Sequence, residues 1–343
     1  MVQNINIQQY WTNHKSSPLF DVRTPSEYQK GHIPTAVNLP IFSDEERAVV
    51  GTIYKQKNPQ EALLKGLELV GPKLRSIIEQ VKSHTETTAV SVHCWRGGKR
   101  SGSIAWLLGM AGYQVTSLQG GYKAYRTQVL ENLTNPLPQL IVLGGKTGCG
   151  KTKILKALAE QGEQIIDLEG LANHKGSAFG DIGQSEQPST EQFENNLYEH
   201  IRGLDKNKRI WIENESKGIG KIFLPNPFWA QMKAAPLVNI ELPDKERLAF
   251  LIKEYTVGDI AALKTGFHKI KKRLGGKRYQ EAIDLLEQKE VAAAARIALQ
   301  YYDKSYQYML NKNTAPVIHK LQFSKLDPKQ IAQKLINKTW NTN

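Results

Sequence analysis

One cysteine lies in a loop whose neighbours suit it to holding an anion. Cys94 follows a predicted buried strand (89–94) and precedes a predicted helix (101–112), so backbone N–H groups and the helix N-terminus direct positive charge into the loop. Three cationic side chains in the next six residues add to this charge and are expected to lower the pKa of the Cys94 thiol. We expect a thiolate nucleophile at the base of a cradle for a tetrahedral anion. The predicted anion-binding residues are Arg96, Gly97, Gly98, Lys99, Arg100 and Ser101.

Two chemistries fit this loop, and the wider sequence favours one of them. The spacing His-Cys, five residues, Arg-Ser resembles the signature of protein tyrosine phosphatases, which hydrolyse phosphate esters. Transfer of sulfur or selenium through a persulfide-type intermediate, as in rhodaneses, also uses such a cysteine. The segments DVRTPSEY (21–28) and GHIPTAVNLP (31–40) resemble the N-terminal motif of rhodanese domains. Because Cys94 and Arg100 are one residue further apart than in simple rhodaneses, we expect a wider pocket that takes a phosphate-bearing donor such as selenophosphate.

A second loop matches the phosphate-binding pattern G-x-x-x-x-G-K-[ST]. It follows an apolar strand (140–145) and precedes a helical pattern, which is the context that the motif requires. Its backbone amides are expected to hold a diphosphate, while Lys151 neutralises the outer oxygens and Thr152 ligates Mg²⁺. Cys149 is interpreted as a small packing residue rather than a second nucleophile. The loop comprises Gly145, Lys146, Thr147, Gly148, Cys149, Gly150, Lys151 and Thr152.

Acidic residues follow two further predicted strands, 163–166 and 209–212. An apolar strand near a phosphate loop commonly ends in an aspartate that holds Mg²⁺, whereas this chain offers glutamates after the second strand, so nucleotide hydrolysis stays open. A prenyl diphosphate would also suit the loop if apolar residues covered its tail. Trp211, Phe228 and Trp229 are candidates for that cover, although core packing is the commoner role for each. The candidate Mg²⁺-associated acids are Asp167, Glu169, Glu213 and Glu215.

Basic residues dominate the chain and concentrate in one segment. Lys plus Arg number 46 and Asp plus Glu 33, a formal net charge of +13, which favours a polyanionic partner. The densest segment, 264–278, lies between helical patterns and is broken by two glycines. We expect it to contact an RNA backbone in a salt-dependent manner, the alternative being a solvated helix face. The tRNA-binding candidates are Lys269, Lys271, Lys272, Arg273, Lys277 and Arg278.

Length and composition indicate a multidomain α/β protein. The 343 residues suggest two or three domains, and the two cysteines exclude a disulfide scaffold. The sequence lacks a signal-peptide pattern and a membrane-length apolar run, so a cytoplasmic protein without a membrane partner is expected. We predict an α/β fold: a rhodanese-like domain (1–134), a P-loop NTPase-like parallel-sheet domain (135–243), and a mainly helical, basic region (244–343) packed on the P-loop domain.

The two loops, in this order, resemble the tRNA 2-selenouridine synthase family along the whole chain. The resemblance includes segments 42–52, 167–180 and 212–216, with the pair Ile219-Gly220, which general rhodaneses and P-loop kinases lack. It implies a transferase acting on the wobble 2-thiouridine in the anticodon loop of certain bacterial tRNAs. The sulfur is first alkylated with geranyl diphosphate, and the S-geranyl group is then exchanged for selenium from selenophosphate. The cysteine matching Cys94 would carry or deliver selenium, the P-loop domain would hold the prenyl diphosphate, and no tightly bound cofactor is expected.

Two other functions remain open on the sequence. The chain is alternatively a phosphatase with a rhodanese fold, or a P-loop kinase, acting on a small phosphorylated substrate. A non-catalytic RNA-binding adaptor is a third interpretation, and the cysteine loop argues against it. The sequence does not specify the tRNA isoacceptors or the oligomeric state.

Overall fold

The chain forms two compact units, Met1–Asn132 and Leu133–Asn343. The computed structural model describes residues 2–14, 16–255, 259–311, 315 and 318–340. Each unit contains its own five-stranded parallel sheet. Parallel sheets with helical connections are the expected α/β architecture, so the predicted fold class is confirmed.

Twelve strands lie in the described part of the chain. They are β1 (Gln3–Ile5), β2 (Leu19–Asp21), β3 (Ala36–Asn38), β4 (Ala89–His93), β5 (Gln114–Leu118), β6 (Leu140–Gly145), β7 (Gln164–Ile166), β8 (Ile210–Glu213), β9 (Gly218–Ile219), β10 (Ile222–Phe223), β11 (Leu237–Glu241) and β12 (Ile318–Gln322).

The α-helices of the first unit alternate with its strands, and those of the second unit are concentrated after β11. In the first unit they are α1 (Ile7–Gln9), α2 (Pro25–Lys30), α3 (Asp44–Gln56), α4 (Pro59–Val70), α5 (Leu74–His84), α6 (Lys99–Met110) and α7 (Gly121–Asn132). In the second they are α8 (Lys151–Glu160), α9 (Leu168–Ala172), α10 (Thr190–Arg202), α11 (Asn226–Ala234), α12 (Asp244–Tyr255), α13 (Ile260–Leu274), α14 (Gly276–Glu287), α15 (Val291–Asn311) and α16 (Pro328–Ile336).

The first sheet has the strand order β1-β5-β4-β2-β3. Its central strand, β4, is buried except at its first residue and leads directly into the Cys94 loop. Apolar residues from the strands and from α6 form one core, in which Phe20, Val92 and Leu108 are completely buried. The Cys94 loop therefore begins at a fixed, fully packed strand end.

The second sheet has the strand order β12-β11-β6-β8-β7. Strand β6 is central and every one of its residues is buried, which explains its uninterrupted apolar sequence. Its neighbours in the sheet, β8 and β11, lie on opposite sides of it. The loop after β6 therefore begins at the point where the strand order of the sheet changes direction. Such a point at the carboxyl edge of a parallel sheet is a common ligand site.

Helices α12 to α15 follow β11, and α13 to α15 share a second apolar core. Phe267, Leu286 and Ala298 are buried there, together with Phe179 from the loop after α9. Tyr306 of α15 accepts a hydrogen bond from the Gly145 N–H at 2.8 Å and so ties the helices to the central strand. No helix within the described ranges has both the length and the apolar character needed to cross a bilayer.

Three details differ from the sequence predictions. Residues 279–310 carry one long helical pattern in the sequence, but they belong to two helices, α14 and α15. The chain turns between these helices at Lys289, which has a positive φ of 62°. The basic segment does not form a break between helices, because most of it belongs to α13 and only Gly275 separates α13 from α14. Strand β1 was not predicted, because its three residues are largely polar and show no alternation of apolar and polar side chains that would indicate a strand. The predicted boundary at 243/244 stays a prediction.

Gly121, the first residue of α7, lets the Cys94 loop pack against the N-terminus of that helix. Gly121 has a φ of +56°, and a Cβ there would lie 2.2 Å from the Cys94 carbonyl oxygen and 2.7 Å from the Gly97 nitrogen. The next two residues, Tyr122 and Lys123, donate their N–H groups to the carbonyls of Cys94 and Trp95, each at 2.9 Å. Only glycine allows these backbones to approach so closely.

We predict that Gly121→Ala destabilises the first unit by about 2 kcal/mol or more, because the added carbon meets backbone atoms and forces a strained φ. Urea unfolding of the full chain, with hydrogen exchange of peptides from β4 and β5, measures the loss. Gly102→Ala is the control, since its Cβ meets no atom within 4 Å on helix α6. That variant should be neutral or about 0.5–1 kcal/mol more stable. Equal protection of β4 in both variants would contradict the packing argument.

Candidate functional site

The Cys94 loop directs backbone donors at the sulfur. The Gly98 N–H donates to Cys94 Sγ at 3.3 Å, and the Ser101 hydroxyl lies 3.3 Å from the same atom. Helix α6 begins at Lys99, so its N-terminal dipole also faces the sulfur. Cys94 is only 3% exposed, whereas the residues 95–99 that follow it are exposed. The thiol is thus the floor of a loop that presents its other residues to solvent.

The hydrogen bonds activate the thiol. Burial alone would raise the pKa of Cys94, but hydrogen bonds from Ser101 and from the backbone of Gly98 and Arg96 outweigh it, so the pKa lies below its ordinary value. The direction agrees with the sequence expectation, although the main cause is hydrogen bonding rather than the cationic side chains. A thiolate is the nucleophilic form of cysteine.

Arg100 is held by a carboxylate from another helix. Its guanidinium makes a bidentate ion pair with Glu27 of α2, one bond measuring 3.1 Å. Glu27 also closes a capping box with Thr24 at the start of α2. Arg100 is therefore preoriented beside the loop, while Arg96, Gly97, Gly98 and Lys99 are exposed around its mouth and Ser101 is buried against the sulfur.

A buried polar network that the sequence analysis did not identify lies behind this loop. Arg23 donates to both carboxylate oxygens of Asp21 and, at 2.7 Å, to the Gly31 carbonyl. Its guanidinium carbon lies 3.8 Å from the ring centre of Tyr122, the residue whose N–H holds the Cys94 carbonyl. Asp21 and Arg23 were visible only as part of the rhodanese motif, because a sequence does not show that two charges are buried together.

The phosphate loop has the geometry that its motif predicts. Gly145, Gly148 and Gly150 all adopt positive φ, and α8 begins at Lys151. The Lys151 ammonium group donates to the Gly145 carbonyl at 3.3 Å across the loop. Burial disfavours its charge, but the carboxylates of Glu215 and Glu169 outweigh burial and raise the pKa of Lys151. The loop therefore holds a permanent positive charge among free backbone donors.

An arginine from α12 braces the phosphate loop. Arg247 is 1% exposed, donates to the Thr147 carbonyl at 3.0 Å and makes two hydrogen bonds to Asp303 of α15. Lys146 lies 3.8 Å from the same aspartate, so its charge is directed at α15. No local motif surrounds Arg247, so only the tertiary structure reveals its role.

Cys149 is as buried as Cys94, but the pKa of its thiol is shifted in the opposite direction. It is 1% exposed, burial raises the pKa of its thiol, and its sulfur faces the Ile240 carbonyl at 3.6 Å. These are properties of a packing residue.

The four predicted acids converge on the phosphate loop. The Thr152 hydroxyl donates to Glu169 at 2.6 Å, and the Glu169 N–H donates to Glu213 at 2.7 Å. Asp167 caps α9 by accepting from the Gly170 N–H at 2.7 Å. Burial and the charge of Glu169 raise the pKa of Glu215 to about 8.

Glu213 is completely buried, and burial together with its acidic neighbours raises its pKa. Its Oε2 has no hydrogen-bond partner among the described residues. A hydroxyl, several carboxylates and a buried orphan oxygen form a set of oxygen donors that suits Mg²⁺ beside a diphosphate. Within the described residues, no three His, Cys, Asp or Glu side chains form a metal-binding group by themselves.

A cavity of about 480 Å³, which we call the diphosphate cavity, opens beside the phosphate loop. One wall carries Lys151, Thr152 and three of the acids. Five apolar and aromatic side chains also line the cavity, and none of them was predicted from the sequence. We call them the apolar wall: Phe250, Leu251, Tyr301, Tyr302 and Met309.

The aromatic residues proposed from the sequence as a tail cover do not line this cavity. Trp211 of β8 is completely buried in the core, where its indole N–H donates to Glu163 at 2.9 Å. Phe228 is 1% exposed. Trp229 is half-buried on α11. The actual wall comes from helices far along the chain, and no spacing rule connects those helices to the phosphate loop.

A basic groove of about 1360 Å³ adjoins the diphosphate cavity. Lys269, Lys271, Lys272 and Arg273 of α13 line it, whereas Lys277 and Arg278 of α14 do not. The segment has acidic neighbours that the sequence did not show, because Lys269 pairs with Asp181 at 2.6 Å and Lys264 pairs with Glu287 at 2.9 Å. The groove and the cavity share Gly176, Ser177, Gln184, Ser216, Arg273, Tyr301 and Tyr302.

Comparison with known proteins gives a match for each of the two units. A family model described as the tRNA 2-selenouridine synthase AAA domain matches residues 138–334, and a rhodanese-like domain model matches 6–128. The tRNA 2-selenouridine synthase of Sulfurovum sp. (strain NBC37-1) is 36% identical over 340 residues, covering 88% of this chain and 91% of that protein. This chain belongs to the tRNA 2-selenouridine synthase family.

A second relative with this name, from Hydrogenovibrio crunogenus, is 36% identical over 337 residues and covers 88% of this chain and 92% of its own length. The solved N-terminal domain of a putative ATP/GTP binding protein from Clostridium difficile 630 is 42% identical, with a TM-score of 0.35, over 37% of this chain and 99% of that one. The model of the tRNA 2-selenouridine synthase AAA domain runs from β6 into α16 and so includes both the phosphate loop and the basic groove.

We predict that Ser101→Ala raises the pKa of the Cys94 thiol, because it removes the hydroxyl that hydrogen-bonds the sulfur. In the wild type, alkylation of Cys94 by iodoacetamide should begin at lower pH than for an ordinary thiol, and in the variant the midpoint should move to higher pH. Peptide mass spectrometry follows both cysteines in one reaction. Cys149 is the internal control, since it is equally buried but has a raised pKa. Equal rates for Cys94 and Cys149 at pH 7 would show that the loop does not activate its thiol.

Proposed function

We propose that this protein converts the wobble 2-thiouridine of tRNA to 2-selenouridine through an S-geranyl-2-thiouridine intermediate. The observation that carries the proposal is the diphosphate cavity, which is lined both by the phosphate loop and by the apolar wall. A prenyl diphosphate has a polar head and an apolar tail that match these two sets of residues. The names of the relatives supply tRNA as the substrate and selenouridine as the product.

In the first stage, the sulfur of 2-thiouridine attacks C1 of geranyl diphosphate. A C–S bond forms, the C–O bond to the diphosphate breaks, and the base loses its N3 proton. Lys151 and the amides of the phosphate loop stabilise the charge that develops on the departing diphosphate. Phe250, Leu251 and Met309 cover the apolar tail and exclude water from the reacting carbon.

Thr152 and Glu169 would hold Mg²⁺ beside the diphosphate, with Glu213 hydrogen-bonded to the Glu169 N–H. When bound, the ion would supply further neutralisation of the leaving group. Glu215 lines the same cavity.

In the second stage, selenium replaces the S-geranyl group at C2 of the pyrimidine. The selenium of selenophosphate attacks C2, a C–Se bond forms and the C–S bond breaks, so the geranylthiolate leaves and takes up a proton. Water then cleaves the Se–P bond, which releases phosphate and leaves selenium on the base. A thioether leaves this carbon more readily than a thiocarbonyl sulfur, which explains why alkylation precedes exchange. The Cys94 loop matches a selenophosphate donor, since its amides and Arg100 surround a tetrahedral anion site with a thiolate at its floor. We assign selenium delivery to Cys94.

We predict that Cys94→Ala abolishes selenium incorporation and leaves S-geranylation unchanged, because only the second stage uses the thiol. The purified protein is incubated with thiolated tRNA, geranyl diphosphate and selenophosphate, and the wobble nucleoside is weighed by mass spectrometry. Cys149→Ala is the matched control and should retain both products. Normal 2-selenouridine formation by Cys94→Ala would remove the assigned role. Steady release of phosphate from an aryl phosphate, lost in Cys94→Ser, would favour a phosphatase instead.

We predict that Lys151→Ala lowers the rate of S-geranylation by about 100-fold or more, since it removes the charge that stabilises the leaving diphosphate. Lys146→Ala is the control within the same loop, because Lys146 faces Asp303 and does not line the cavity. That variant should stay within a few-fold of the wild type. Single-turnover formation of S-geranyl-2-thiouridine measures both. An unchanged rate in Lys151→Ala would refute the assignment of the diphosphate.

A further inference from the structure

The basic groove and the diphosphate cavity are continuous. Seven residues line both, and they lie where α13 and α15 meet the loop that follows α9. The groove measures about 1360 Å³, which exceeds the roughly 300–1,000 Å³ typical of small-ligand pockets. Its size indicates a polymeric ligand, part of which reaches the adjoining cavity.

The charge on the groove favours a polyanion. Five lysine and arginine side chains line it, against two carboxylates, and one of those carboxylates is already paired with Lys269. Lys271, Lys272 and Arg273 are exposed at consecutive positions in the last turn of α13. Lys221 of the β9–β10 hairpin lines the same groove, so cations from two elements face the ligand.

Aromatic side chains stand where the groove joins the cavity. Tyr302 is fixed, because its hydroxyl accepts from the Ala178 N–H at 2.9 Å and its ring packs edge-on to Phe179. The Tyr301 ring lies 5.1 Å from that of Tyr302, at an interplanar angle of 66°, and is half-buried. A half-buried aromatic ring beside a cationic groove is the usual platform on which a single-stranded base stacks.

The loop after α9 also lines this junction. Gly176 has a φ of +64°, and a Cβ there would lie 2.4 Å from a carboxylate oxygen of Glu215. Residue 176 therefore carries no side chain, and its backbone lies directly against Glu215. Gly176 and Ser177 line both spaces, so the residues that border the junction on this loop are small.

We propose that the anticodon loop of the tRNA lies in the basic groove and that its wobble base enters the diphosphate cavity past Tyr301, stacked on that ring. Arg273 lines both spaces and contacts the phosphate next to the inserted base. A base of a single-stranded loop can turn out without the cost of melting a duplex. The proposal rests on the proposed function, and it adds the path by which the target sulfur reaches the prenyl diphosphate.

Tyr301→Ala and Tyr301→Phe test the stacking step. An anticodon stem-loop with 2-aminopurine at the wobble position should lose fluorescence when it binds the wild type or the phenylalanine variant, because the ring stacks on the base. Tyr301→Ala should leave the fluorescence high and should lower kcat/KM for S-geranylation by about tenfold or more. The quenching is measured without geranyl diphosphate, so it reports the stacking step separately from any effect of Tyr301 on binding of the prenyl tail. Quenching that persists in Tyr301→Ala would overturn the role of Tyr301.

A charge-reversal pair tests the groove. Lys271→Glu with Lys272→Glu should weaken binding of the stem-loop and reduce the slope of log affinity against log salt by about two. Lys206→Glu with Lys208→Glu is the matched control, since it makes the same change in net charge on an exposed loop that does not line the groove. Equal weakening of stem-loop binding by both pairs would show that only the total charge matters. It would overturn the proposal that the groove binds the tRNA.

Other outcomes separate this proposal from the proposed function. Wild-type protein could bind the stem-loop in the groove and yet transfer no prenyl group to it from any prenyl diphosphate. That result would contradict the proposed function and leave the role of the groove intact. Normal alkylation by the variant with Lys271→Glu and Lys272→Glu would contradict the role of the groove and leave the proposed function intact. Binding of poly-glutamate as tightly as the stem-loop, with the same salt dependence, would assign the groove to an acidic polypeptide and overturn the RNA proposal.

Discussion

Backbone N–H groups at the carboxyl end of a central parallel strand underlie both sites of this protein. In each unit a buried strand, β4 or β6, ends in a loop that leads into a helix N-terminus, and the loop amides face inward. In the first unit the Gly98 amide donates to the Cys94 sulfur, and in the second the loop has the glycine conformations of a phosphate-binding motif. The donors need no reorganisation when charge develops, because the sheet core fixes the start of each loop and the following helix fixes its end.

Half-buried counter-charges keep the cations of these loops in place. Glu27 orients Arg100 beside the sulfur, and Asp303 orients Arg247 beneath the phosphate loop. Glu215 and Glu169 hold Lys151 in its charged form despite its burial. Each partner comes from a different helix or strand, so the electrostatics of the sites depend on the packing of the whole unit. A charge buried without such a partner would cost several kcal/mol.

Local motifs predicted the loops well because their chemistry is encoded in consecutive residues. The phosphate-loop glycines sit at positive φ as the motif requires, and three of the four acids, Asp167, Glu169 and Glu215, line the cavity with Thr152 because parallel strands end at one edge of the sheet. The sequence did not identify the apolar wall. Trp211 belongs to the core, which was its commoner expected role, while Phe250 and Met309, from α12 and α15, line the cavity. Their distance along the chain from the phosphate loop leaves no periodicity that would reveal the contact.

The sequence by itself determined the α/β class, the phosphate-loop motif and the family, and it predicted the nucleophile, since each depends on residue types at fixed short spacings. The tertiary structure decided which side chains surround them. It separated Lys271, Lys272 and Arg273, which line the groove, from Lys277 and Arg278, which face elsewhere. It also joined the groove to the diphosphate cavity at Tyr301. The physical reason is that a cavity is formed by surfaces of elements distant in sequence, and only their packing brings those surfaces together.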